Sequence, residues 1–126
     1  MLDPALFEAI VAVAPVTDLE TLRQEHARFT HFKMVDAQIG HGPEVRIGSP
    51  AQNAGAIQAP VLMFHGVEDA TVGVGESRLM TARLRGAGKK VELVEYKGLT
   101  HQLDDAEVRA DLLGKSDAFL RASLGL

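Results

Sequence analysis

Two short, unbroken apolar runs constrain the fold more than anything else in this chain. They are Ala9-Ile10-Val11-Ala12-Val13 and Val61-Leu62-Met63-Phe64, the second leading into His65. A strand with one wet face alternates apolar with polar, whereas a strand covered on both faces stays apolar throughout, as in parallel sheets. Turn chemistry closes each run: Pro15 and Thr17-Asp18 after the first, Gly66 after the second. A third segment, Val91-Glu92-Leu93-Val94-Glu95-Tyr96, alternates, which fits a strand nearer a sheet edge.

Helical patterns separate these strands. Thr17 or Asp18 caps a predicted helix running to about Thr30, with Leu19, Leu22 and His26 on one face. The stretch from His31 to Ser49 is less regular; a short helix over Met34–Ile39 is ended by Gly40 and Gly42. Ser49 then caps a helical turn that Pro50 opens and that runs through Ala56. Gly73 to Leu84 reads as a helix with Leu79, Met80 and Leu84 aligned, stopped by Gly86-Ala87-Gly88. Asp104 or Asp105 begins a last helix whose apolar face is Val108, Leu112, Phe119 and Leu120. Strands joined by crossovers of this length lie parallel, so the expected class is α/β, about three parallel strands with flanking helices, in a single domain over residues 1–126.

Composition removes several function classes. A net charge of −4 and a pI near 5.7 give no footprint for nucleic acid or an anionic membrane. The longest apolar run, Ala9–Ala14, is far shorter than the roughly twenty residues of a spanning helix, and no basic residue precedes it as in a signal peptide. With no cysteine, disulfides and thiolate metal sites are impossible; the count does not decide the compartment, and the cytoplasm is the default expectation. His26, His31 and His41 lack a ligand-like spacing with carboxylates, so no metal is expected. Gly73-x-Gly75 is too short for a dinucleotide fingerprint, and no cofactor is expected.

The candidate chemistry sits just past two strand ends, the edge where open α/β sheets gather functional groups. His65-Gly66-Val67-Glu68-Asp69 places a carboxylate there, and Gly98-Leu99-Thr100-His101 places an imidazole. Acid followed by histidine is the chain order of the Ser-His-Asp triad in α/β-hydrolases. Glu68 is read as a solvated turn residue, His65 as a packed or loop-orienting histidine, and Asp104-Asp105 as a cap. No Gly-x-Ser-x-Gly occurs, and none of Ser49, Ser77, Ser116 and Ser123 has the strand-to-helix elbow that exposes an activated hydroxyl.

From Phe7 onward the chain resembles the C-terminal part of the catalytic domain of the prolyl oligopeptidase family, which includes acylaminoacyl and dipeptidyl peptidases. The matching residues are Phe7-Glu8-Ala9-Ile10-Val11-Ala12-Val13-Ala14-Pro15-Val16-Thr17-Asp18, Gly48-Ser49-Pro50 and Ile57-Gln58-Ala59-Pro60-Val61-Leu62. His65-Gly66-x-x-Asp69-x-x-Val72, Leu84-Arg85-Gly86-Ala87-Gly88-Lys89 and Gly98-x-x-His101 follow in order. The resemblance implies a partial α/β-hydrolase fold in which Asp69 and His101 are the acid and base of a serine peptidase. In the family, the serine elbow and the oxyanion-hole strands precede the matching segment, and a β-propeller commonly precedes those. The chain therefore reads as the back half of an enzyme, inactive alone, with a peptide-like substrate only when completed. The alternative is a non-catalytic oligomeric binding module.

The resemblance also makes Ala9–Val13 an interior strand whose partner on one side is missing. No lysine, proline or charge within Ala9–Ala14 guards that edge. The expected partner is a second copy pairing along this strand or a separate N-terminal hydrolase half, with neither nucleic acid nor membrane involved.

Overall fold

The structure, a computed structural model, describes residue 3 and residues 5–126. Three strands form one sheet in the order β1 (Ile10–Val13), β2 (Val61–Gly66), β3 (Val91–Tyr96). Both pairings are parallel: Ile10 lies opposite Val61, Val61 opposite Val91, and Gly66 opposite Tyr96. All six residues of the central strand are buried, the cause of its unbroken apolar character. The alternating strand, β3, lies at one edge and β1 at the other.

Between β1 and β2 run α1 (Leu19–His26), α2 (Phe32–Ile39), α3 (Pro43–Ile47) and a 3-10 helix over Pro50–Ala56. Between β2 and β3 lies α4 (Val74–Gly86), and α5 (Ala106–Leu124) follows β3. On one sheet face Val61 and Met63, with Ile10, Ala12, Val91 and Leu93, meet Met80 and Leu84 of α4 and Ala51, Ala54 and Ile57. Leu62 and Phe64 point to the other face, where the Phe64 ring stacks on Tyr96 at 6.2 Å. The Tyr96 hydroxyl donates to Asp111 of α5 at 2.8 Å, so α5 lies over this second face.

Local chemistry sets the boundaries. Asp18 is the cap of α1, its Oδ1 accepting from the N–H groups of Glu20 and Thr21 at 3.0 Å each. The helix stops at His26, short of the expected Thr30, where Phe29 folds back to pack in a three-ring cluster with His26 and His31. Ser49 does not cap the turn after it. Its hydroxyl donates backward to the Val45 carbonyl at 2.6 Å and accepts from the Leu19 N–H at 2.9 Å. The short α3, started by Pro43 at its first turn, carries no five-residue periodicity that a sequence reading can detect. At α5 Asp105 is the cap, accepting from the Val108 N–H at 2.9 Å, while Asp104 pairs with Arg109.

Candidate active site

Parallel register brings two loops to the same rim. Strands β2 and β3 end opposite one another at Gly66 and Tyr96; Asp69 follows the first, His101 the second. The loops are stitched by backbone bonds, Val67 N–H to the Tyr96 carbonyl at 2.9 Å and Glu68 N–H to the Leu99 carbonyl at 3.0 Å. Gly66 permits this approach. A Cβ there would stand 2.4 Å from the Leu99 oxygen and 2.6 Å from that of Thr100, closer than any side chain tolerates. Gly98 turns the second loop with φ +73°, in the left-handed region open to glycine.

The outcome is a short contact: His101 Nδ1 lies 2.7 Å from Asp69 Oδ2. Asp69 Oδ1 accepts from the N–H groups of Thr71 and Val72, each at 2.9 Å. The acid's side chain is fully buried, whereas that of His101 is 35% exposed. Burial pushes the Asp69 carboxyl up, but the Val72 N–H, the His101 hydrogen bond, the Thr71 N–H and the His101 charge outweigh it and hold the group below its ordinary value. An ionised carboxylate on Nδ1 orients the ring and leaves Nε2 as the nitrogen that can exchange a proton with a third group.

The other singled-out residues separate from this pair. Glu68 is exposed in the turn. Ser49 is engaged as described, the Ser77 hydroxyl meets His65 Nδ1 at 2.7 Å, and the Ser116 hydroxyl donates to Leu112 within α5. Ser123 lines a cleft of about 910 Å³ with Lys89, Lys90 and Pro60 at the opposite rim, remote from Asp69 and His101. A groove of about 360 Å³, lined by Glu25, His26, Phe29, Asp69 and Gly73, runs beside the acid's loop. His26 and His31 touch one another at 3.0 Å, and His41 contacts Asp36. Among the described residues no cluster of three metal-ligating side chains occurs.

One buried acid has no counterpart in the sequence reading. Glu76, in the first turn of α4, is wholly buried, and its Oε2 accepts from the N–H groups of Thr17 (2.8 Å) and Asp18 (2.7 Å), while Oε1 has no partner. Burial pushes this carboxyl above its ordinary value despite those donors. An acidic residue in a helix's first turn ordinarily reads as a dipole partner, and nothing local announces a loop 59 residues away.

Comparison with known proteins agrees with this architecture. The prolyl oligopeptidase family matches residues 1–126. Isoprenylcysteine alpha-carbonyl methylesterase ICME of Arabidopsis thaliana is 40% identical over 60 residues, 47% of this chain and 14% of that protein. The uncharacterized peptidase YtmA of Bacillus subtilis (strain 168) is 33% identical over 82 residues, 61% of this chain and 32% of that one. The fold is similar to that of a puromycin-hydrolyzing peptidase of Mycobacterium tuberculosis, with a TM-score of 0.82 and 20% identity over 94% of this chain and 19% of that one. The chain thus spans under a third of the length of the curated relatives it matches. It belongs to the prolyl oligopeptidase family.

Proposed function

From membership of that family, we propose that Asp69 and His101 are the acid and base of a Ser-His-Asp triad whose serine lies outside these 126 residues. The observation that carries this reading is the 2.7 Å contact between His101 Nδ1 and the buried Asp69 carboxylate. In the assembled site His101 Nε2 removes the proton from the serine hydroxyl as it attacks the acyl carbon, then returns it to the leaving group. Asp69 holds the ring with its proton on Nδ1 and stabilises the imidazolium between those steps. The reaction is hydrolysis of a peptide or acyl bond; the methylesterase and peptidase names of the relatives fit one acyl-transfer chemistry with different leaving groups. Without the nucleophile the chain is catalytically silent.

A fluorophosphonate probe tests this. The chain alone remains unlabelled, whereas mixing it with a polypeptide carrying the family's Gly-x-Ser-x-Gly half produces labelling on that half. Asp69→Asn then lowers turnover by about 10⁴-fold, the scale for losing the correct imidazole tautomer. Stoichiometric labelling of the chain alone, abolished by His101→Ala, would sink the proposal, because one of Ser49, Ser77, Ser116 and Ser123 would then be the nucleophile.

A second reading, a non-catalytic module that binds another polypeptide, draws on the outer edge of β1. Among the described residues that edge has no partner strand, Val13 is 47% exposed, and an apolar hollow of about 240 Å³ opens beside it between Ile10, Ala12, Pro15, Met63 and Met80. Strand addition here serves both readings, the added strand belonging to the nucleophile half or to a second copy.

A further inference from the structure

The acid is held by more than its own loop. An ionised carboxylate offers about four lone-pair sites. Two on Asp69 take the N–H groups of Thr71 and Val72, and a third takes His101. His65 stands over the same group: its Nε2 lies 3.3 Å from Asp69 Oδ2, a contact rather than a hydrogen bond, and bonds the Val72 carbonyl at 2.8 Å. His65 is wholly buried, where an unmet ring nitrogen is costly.

Its neighbours determine where its proton sits. A backbone carbonyl accepts only, so Nε2 carries the hydrogen and donates it to the Val72 carbonyl, leaving Asp69 Oδ2 as a close electrostatic neighbour of the same N–H. Nδ1 is then the acceptor, and the Ser77 hydroxyl of α4 donates to it at 2.7 Å. The carbonyl of Val72 receives from His65 while its N–H donates to Asp69 Oδ1, so the histidine clamps the very residue that clamps the acid.

We propose that His65 is a positioning residue for Asp69, oriented by Ser77, and that this pair sets the angle at which the carboxylate meets His101. The inference rests on the acid–base reading of Asp69 and His101. A mere packing role makes any side chain of similar bulk equivalent. A positioning role makes the result depend on which ring nitrogen survives: glutamine retains a donor near Nε2, whereas asparagine retains only an atom near Nδ1.

The test is NMR of the 126-residue chain with nitrogen-15-labelled histidine and carboxyl-labelled aspartate. In the wild type, His65 shows the Nε2–H tautomer and the His101 Nδ1 proton resonates far downfield, as a proton donated to a carboxylate does. Ser77→Ala, which removes a single oxygen and makes no new steric demand, moves that resonance upfield and raises the Asp69 titration midpoint by about one pH unit. His65→Asn does the same more strongly, and His65→Gln restores most of the wild-type signature. A Nδ1–H tautomer of His65 in the wild type overturns the proposal without need of any variant. So does a His101 signal that survives Ser77→Ala and His65→Asn unchanged while Asp69→Asn abolishes it. If Asp69→Asn leaves the His101 signal untouched, the acid–base reading has failed instead, and this inference fails with it.

Discussion

Asp69 and Glu76 are both buried carboxyls, yet the chain treats them oppositely. Asp69 takes hydrogen bonds on both oxygens and is held below its ordinary value; Glu76 keeps one oxygen without a partner and is held above it. Their pH signatures therefore have opposite signs. Asp69 adds stability that is present above the ordinary aspartate value and is lost as pH falls through its lowered folded value. Glu76 is least costly when protonated, so stability falls as pH rises from the ordinary glutamate value through its raised one. In denaturant titrations across pH, Asp69→Asn is expected to flatten the acid limb. Glu76→Gln raises Tm at pH 7 by roughly a few degrees and leaves it unchanged near pH 3. At this scale the sequence exposes Asp69 and His101 because loops after apolar strands single them out. His65 was legible as a packed or loop-orienting histidine, but its partners Ser77 and Val72, and the burial of Glu76, depend on tertiary neighbours that no local pattern encodes.

The strands were the legible elements, because burial on both faces writes itself as continuous hydrophobicity in β2. The helix ends were less so. The early stop of α1 accompanies the stacking of Phe29 on His31, and the role of Ser49 comes from α3 and Leu19 rather than from the turn that follows it. Gly66 is the element-scale position with the sharpest consequence. Gly66→Ala forces its methyl into the Leu99 and Thr100 carbonyls, parts the two loops, and costs about 1–3 kcal/mol as an overpacked site. Urea unfolding measures the cost, and loss of the downfield His101 proton reports the separation.

For the whole molecule, the three-stranded sheet and its two covered faces follow from the order of strands and crossovers, and the family match extends over the entire chain. The behaviour of β1 is a property of the assembled sheet: Val11 and Val13 look like any buried strand until the neighbour on the far side is counted. We expect the 126-residue chain by itself to sediment as a discrete oligomer, and Val13→Lys, which places a charge on that edge, to shift it toward monomer. A monomeric wild type at high concentration would remove the case for self-pairing.

The stitching of the two loops across Gly66 divides the chain's tolerance of length changes. An added residue between Gly66 and Asp69, or between Tyr96 and His101, displaces one partner of a 2.7 Å contact, so engineering has almost no freedom there. At the far rim, the turn after α4 is exposed and has open space around it, with Gly88 itself kept as glycine by its φ of +70°. A peptide tag or a loop graft inserted beside Gly88 lengthens the chain without altering the spacing of Asp69 and His101, making that turn the natural place for a fluorophore or an affinity handle.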